Sequence, residues 1–409
     1  MEKVSNRYWF VSEYYYPVIV STGYYVTEIA EFLSKKGLNV CVITSNNKYY
    51  ETDMASSLCR ETHNDVEIFR SIKTPLDKNN NFKRVLRLLS LSFSFFCKSI
   101  RHIKKGDQVI VLTNPAFFLL FMPFVRFISK CKYHILVHDV FPENLISLGR
   151  INTNSLEYRL LKRLYDNAYS QADSCISIGQ DMSVLLKEKT KGRTIISLIT
   201  NWSDEDQVTP VQKEMTKTFK ENKERLSDAV VFQFAGNLGR AQGLDNLLTA
   251  IGMIEDANAR FMFIGSGAKS QEISSFASTH ENTIYLGFIG RDEQNDFLNS
   301  CDIGIVTLAD GMYGLGVPSK SYNIMATGRP ILYIGESDSE IALCIEKYGI
   351  GWVVPPKDPV ALKKQVEDII KDRESIVVKG RLAREVAVSV FGKTAVLNHY
   401  YQYLLSLSH

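Results

Sequence analysis

The sequence has no C-x-x-C pair among its cysteines, which stand at 41, 59, 97, 131, 175, 301 and 344. Their odd number and wide spacing argue against a disulfide framework and a structural zinc site, and suit a reducing compartment. The opening residues, MEKVSNRYWFVSEYYYP, lack the apolar core of a signal peptide. Long apolar runs are missing too. The most apolar stretch, Val109 to Ile128, is broken by Asn114, Pro115, Pro123 and Arg126, so no membrane span is expected. Charge of one sign is not in excess: 48 Lys and Arg face 45 Asp and Glu, a net +3. That balance excludes a protein that coats nucleic acid, although a local basic patch stays open. No short-period repeat is visible. What is present is an ordinary globular mix, 45% apolar and 23% charged, over 409 residues. At roughly 150 residues per domain this is enough for two or three domains.

The recurring pattern is a short apolar run, a polar turn and a longer amphipathic segment. YWFVS (8–12), VCVIT (40–44), VIVL (109–112), YHILV (133–137) and SCISI (174–178) read as strands, with a helix over 22–36. The series restarts with VVFQFA (230–235), RFMFI (260–264), TIYL (283–286), IGIVT (303–307), PILYI (330–334) and GWVV (351–354). Strands alternating with helices imply parallel sheets covered by helices. The charged stretch from Asp204 to Asp228, with Pro210, reads as a linker followed by an exposed helix. The expected architecture is α/β: two Rossmann-like, doubly wound domains over 1–204 and 205–388, facing an interdomain cleft. The tail, 389–409, is expected as a helix packing back on the body.

Ligands of open parallel sheets bind beyond the carboxyl ends of the strands, so the loops there are the places to look. After the first strand, EYYYPVIVSTG (13–23) enters a helix, and Gly23 gives room for backbone to approach a ligand. After YHILV come His138, Asp139 and Glu143; the imidazole could polarise a sugar hydroxyl and Asp139 could orient it or do the same. After VVFQFA come Gly236, Asn237, Gly239, Arg240 and Gly243, just before a helix. Free N–H groups, a positive helix end and a guanidinium fork suit a phosphate. The turn is not a Walker loop, since no G-K-[ST] follows. The fourth loop runs from Asp310 through Gly316, Val317, Pro318 and Ser319 to Lys320. There Lys320 is placed to neutralise a diphosphate, and Asn323 to meet a nucleoside hydroxyl. Gly265-Ser266-Gly267 gives only half of a dinucleotide fingerprint and is a weak sign of a nicotinamide site.

Taken in order, HDVFPENLISLG (138–149), NWSD (201–204), GNLGRAQGLDNLL (236–248), FIGSGAK (263–269) and VPSKSYNIMATGRPIL (317–332) resemble retaining nucleotide-sugar glycosyltransferases of the GT-B fold, family four. Bacterial enzymes that build O-antigen, capsule or colanic acid repeats, such as the fucosamine transferases, are the likeness within it. The resemblance implies that the Gly23 loop faces donor diphosphate and acceptor. It puts His138 and Asp139 by the transferred sugar, Arg240 and Lys320 on the diphosphate, and Ser266 and Gly267 near the base, with Gly265 also among the donor-binding residues. Two departures stand out. Where the family often has a pair of glutamates eight residues apart, this chain has Leu315 and Asn323. Around the glycine turn, Asn237 and Gln242 replace the family's Arg and Lys, with Arg240 between them.

The resemblance further implies transfer of a sugar from a UDP- or GDP-type donor, with retention and without a metal or other cofactor, to a polyprenyl-diphosphate-linked glycan. A basic, amphipathic stretch, FKRVLRLLSLSFSFFCKSIRHIKK (82–105), has seven Lys and Arg and no acid. It suits an anionic membrane surface, so a cytoplasmic chain held peripherally on the inner face of the membrane is expected. Two other readings share the fold. One is an inactive nucleotide-sugar-binding scaffold, favoured by the missing glutamates; the other is a sugar-nucleotide epimerase, for which acid and base groups are evident on only one side.

Overall fold

The computed structural model describes residues 6–18, 21–46, 58–71, 81–147, 149–226 and 228–407, without the side chains of 81, 82, 84 and 240. The chain forms two compact units, Met1–Ile199 with Leu397–His409, and Thr200–Val396.

Among the described residues, the first unit's sheet has eight strands: β1 (Tyr8–Val11), β2 (Val40–Ser45), β3 (Arg60–His63), β4 (Val66–Ser71), β5 (Gln108–Leu112), β6 (Lys132–Val137), β7 (Ser174–Ser177) and β8 (Ile195–Leu198). They lie in the order β3-β4-β2-β1-β5-β6-β7-β8. Neighbours are parallel, except that β3 runs antiparallel to β4. Strands β1, β2, β5 and β7 are buried at every residue. Helices on both faces demand that, which is why these strands are mostly apolar, with small or polar residues such as Ser174 and Ser177 tolerated in β7. Right-handed crossovers place helix Ser21–Lys35 on one side of the sheet and helices Asn81–His102, Met122–Ser129, Leu156–Ser170 and Gln180–Thr190 on the other. From Leu397 onward the last helix, Lys393–Ser406, belongs to this unit. Tyr8 Oη donates to the Leu404 carbonyl (3.4 Å) and Tyr403 Oη to Ser174 Oγ (2.6 Å).

The second unit's sheet runs β11-β10-β9-β12-β13-β14. Its strands are β9 (Val230–Ala235), β10 (Ala259–Ile264), β11 (Thr283–Tyr285), β12 (Ile303–Thr307), β13 (Ile331–Ile334) and β14 (Gly351–Val354). This is the 3-2-1-4-5-6 order of doubly wound sheets, with its switch point between β9 and β12. Phe232 and Phe261 stack at 5.3 Å in the core, under Leu362, Val366 and Ile369 of the helix Pro359–Lys371.

The strands expected from the sequence are present, and β3, β4 and β8 are additional. Strand β3 is polar and half exposed (Arg-Glu-Thr-His), whereas β8 is apolar in sequence (Ile-Ile-Ser-Leu) but lies at a partly exposed edge of the sheet. The exposed helix expected within 204–228 is present as two short helices, Lys217–Glu221 and Lys223–Leu226, mostly exposed but each burying an apolar side chain, Phe219 and Leu226.

Two glycines let the loops after β9 and β10 touch. Gly265 has φ +133°, and a Cβ there would lie 1.9 Å from the Gly236 carbonyl oxygen; at Gly267 it would lie 2.6 Å from that of Leu238. The backbone pairs there: Gly236 N–H donates to Ile264 (2.9 Å) and Leu238 N–H to Ser266 (3.0 Å). Gly265→Ala is therefore expected to destabilise this unit by about 2 kcal/mol, lowering its melting temperature by about 4–8 °C. Differential scanning calorimetry checks this, and an unchanged transition would show that the loops part without penalty.

Candidate functional site

The second unit's site grows from the end of β9. Phe234 points its ring at the first residue of helix Lys320–Ala326, and Lys320 Nζ sits 3.5 Å from the ring centroid. Gly236, with φ +141°, follows two residues later; a Cβ there would stand 3.4 Å from Nζ. The glycine thus leaves the ammonium its space. Lys320 Nζ is buried and has no hydrogen-bond partner among the described residues. Burial pushes its pKa down from 10.5 to about 7. The ring face offers cation–π attraction but no counter-charge. A buried cation without an acceptor is a group held ready for an anion.

The neighbouring loops close around this corner. Arg240 opens a 3-10 turn, Arg240–Gln242, and its side chain lies outside the described residues. Gly243 (φ +61°) packs against the backbone of Ala309, and Ala309 N–H donates to the Ala241 carbonyl (2.9 Å). The turn after β9 and the loop after β12 are therefore bonded to each other. Asn237 is exposed and packs on Gly239. Gly316, Val317, Pro318 and Ser319, all half-buried, lead into the Lys320 helix, and Ser321 Oγ donates to the Pro318 carbonyl (2.7 Å). Ser266 and Gly267 are exposed beyond β10, and Tyr285 Oη holds the Gly265 carbonyl (3.0 Å).

Two positions differ from a simple ligand contact. Asn323 Oδ1 accepts the Asp204 N–H at 3.0 Å, so that oxygen already holds the start of the second unit. Leu315 is buried, only 5% exposed, and offers apolar contact alone. Among the described residues no group of His, Cys, Asp or Glu is arranged to hold a metal ion.

In the first unit, His138 and Asp139 follow β6. Both backbone N–H groups donate to Thr113 Oγ1 (3.3 and 3.2 Å), which fixes the turn against the end of β5. The His138 ring meets Tyr25 edge-on at 6.4 Å. Burial lowers His138 to about 4, leaving a neutral imidazole near pH 7 that can accept as well as donate a hydrogen bond. Burial raises Asp139 to about 6, against a hydrogen bond from Asn144 that lowers it. Gly23 is buried in the first turn of helix Ser21–Lys35, while residues 19–20 of its loop lie outside the described residues. Glu143, read from sequence as part of the same cluster, is instead engaged by Lys162 (3.0 Å) and Lys189 (2.9 Å).

Sequence reasoning missed Glu13, at the carboxyl end of β1. Its carboxylate takes Arg87 Nη1 at 3.0 Å in an ion pair whose side chains are 2% and 8% exposed. Its carbonyl accepts from Thr44 Oγ1 and Ser45 Oγ. The signal was available, a lone acid directly after a core strand, but its cation is distant in sequence.

Comparison with known proteins narrows the class of this chain. Residues 229–372 match the family model described as glycosyl transferases group 1. The chain is 38% identical over 365 residues to the probable glycosyltransferase WbjE of Pseudomonas aeruginosa, covering 89% of each chain. It is 22% identical over 398 residues to the putative colanic acid biosynthesis glycosyl transferase WcaI of Escherichia coli (strain K12), covering 94% of this chain and 96% of that one. The fold is also that of Anabaena HepE, solved in complex with UDP, at a TM-score of 0.72 and 12% identity over 98% of this chain and 100% of that one. The protein belongs to the group 1 glycosyltransferases and is a transferase of GT-B architecture.

Lys320 carries a prediction about stability. In the unfolded chain its pKa is near 10.5, and in the native protein about 7. Between those values the unfolded state binds more protons, so stability rises with pH there and is lost as pH falls toward 7. Lys320→Met removes this penalty. The variant is expected to melt above the native protein at pH 7, with the gap narrowing toward pH 10. Thermal melts across that range check it, and a pH-independent gap would contradict the depressed pKa.

Proposed function

We propose that this transferase moves a sugar from a nucleoside-diphosphate sugar, of UDP or GDP type, to a growing surface-polysaccharide repeat carried on a polyprenyl diphosphate, with retention of configuration. The observation that carries the donor assignment is the buried, unpartnered Lys320 ammonium at the Gly236 turn. As the glycosidic bond breaks, negative charge gathers on the departing diphosphate, and a cation already stripped of water stabilises it strongly. Arg240 is assigned to the same diphosphate. The neutral His138 imidazole and the Asp139 carboxyl are assigned to hydroxyls of the transferred sugar. Gly265, Ser266 and Gly267 are assigned to the base, and Asn323 Nδ2 to the ribose. The HepE complex with UDP and the colanic acid description of WcaI support donor type and pathway class.

The acceptor reading rests on helix Asn81–His102. Its outward face is apolar: Val85, Leu86, Leu89, Phe93 and Ile100 are exposed, and so are Phe124, Phe127 and Ile128 of the next helix. Lys83, Lys98, Arg101, Lys104 and Lys105 surround this face in sequence. Arg87, counted with them from sequence, is turned inward to Glu13. Exposed apolar side chains among cations suit an anionic membrane surface, where a lipid-linked acceptor is met. No helix among the described residues is long and apolar enough to cross a membrane. The chain is accordingly proposed as a peripheral protein of the cytoplasmic face.

The test is a thermal-shift screen of UDP-, GDP-, ADP- and TDP-sugars, followed by turnover of the best donor on a membrane extract. A donor raises the melting temperature by mass action. Lys320→Met is expected to lower turnover about a hundredfold or more. Full turnover in that variant would remove Lys320 from the reaction.

A further inference from the structure

A second basic surface lies in the first unit, in a groove of about 430 Å³ between helices Leu156–Ser170 and Gln180–Thr190. Pairing inside it is incomplete. Lys162 and Lys189 are neutralised by Glu143 and Asp166, at 2.6–3.0 Å. Arg159, Arg163, Lys191 and Arg193 also line the groove, and no acid pairs with them among the described residues. All four are exposed. Lys191 ends its helix in the left-handed region (φ 52°), followed by Gly192 (φ 69°), so the chain turns sharply between the last two cations.

Helix Leu156–Ser170, which carries Arg159 and Arg163, also carries three exposed leucines, Leu156 (79%), Leu160 (60%) and Leu164 (45%). At 3.6 residues per turn, Arg159, Arg163 and these leucines fall within one arc of about 140°. The opposite side is buried through Tyr165, Ala168 and Tyr169. The crossover rule places this helix on the same side of the sheet as helix Asn81–His102.

We propose that this groove binds the phosphodiester headgroup of an anionic phospholipid, with the leucine row entering the bilayer surface beside it. The inference rests on the reading that the first unit meets a membrane, and adds to it a second contact with its own ligand chemistry. Unpaired cations call for an anion, and arginine favours phosphate oxygens. A water-soluble phosphate would leave the leucines in water, whereas a lipid covers both features at once.

The test measures partition of the full chain onto vesicles of phosphatidylcholine with and without phosphatidylglycerol. Native protein is expected to bind only the anionic vesicles. Arg159→Gln with Arg163→Gln is expected to weaken this about 30-fold, and Leu156→Ser with Leu160→Ser about tenfold or more. Phe93→Ser with Ile100→Ser tests the other helix. If the arginine pair binds like native protein while the Phe93/Ile100 pair loses binding, the groove is wrong and the first membrane contact stands. If native protein binds neither vesicle, both fail. If the leucine pair partitions like native protein, and inorganic phosphate raises the melting temperature of native protein but not of the arginine pair, the groove holds free phosphate and the lipid assignment is overturned. Melting temperatures of all variants control for folding. Should the arginine pair not fold, Lys191→Gln with Arg193→Gln must show the same loss.

Discussion

The second unit buries a lysine amine that has no hydrogen-bond partner among the described residues, which is the constraint on which the proposed donor site depends. Lys320 Nζ lies on the face of Phe234, in space that Gly236 leaves free, and burial alone brings its pKa down to about 7. The loops after β9, β10 and β12 are tied to one another by backbone hydrogen bonds, so the ammonium cannot be relieved by a small shift of one loop. Glycines 265 and 267 serve that tying, since their missing side chains are replaced by the backbone of Gly236 and Leu238. If Lys320 acts as proposed, stability is given up where charge stabilisation is needed.

Much of this was legible in the sequence for a physical reason. Strands buried on both faces are predominantly apolar, so β1, β2, β5 to β7 and the second series announced themselves. The glycine-rich turns stood out because few other residues adopt their backbone angles. Two edge strands of the first sheet were not recognised: β3 is polar and half exposed, and β8, although apolar (Ile-Ile-Ser-Leu), is a short, partly exposed strand. Pairings between distant residues were equally hidden. Nothing in the spacing told that Arg87 would turn inward to Glu13, that Glu143 would be taken by Lys162 and Lys189, or that Asn323 would hold the Asp204 N–H.

The first unit adds a structural link between its surface and its strand ends. Helix Asn81–His102 shows apolar side chains outward and sends Arg87 inward to the acid that follows β1. The carbonyl of the same Glu13 is held by Thr44 and Ser45 at the end of β2. A buried pair of this kind fixes orientation more than it adds stability, because breaking it strands a charge. The helix that meets the membrane in our reading is thereby locked to the loop assigned to the acceptor.

A Lys320 that faces the donor takes up a proton when a diphosphate arrives. Isothermal titration at pH 8, in two buffers of different ionisation enthalpy, with the nucleoside diphosphate that most raises the melting temperature, measures this directly. The native protein should take up close to one proton per ligand bound, and Lys320→Met none. Binding without proton uptake in the native protein would mean that the ammonium is already charged or lies away from the ligand, and the central assignment would fall.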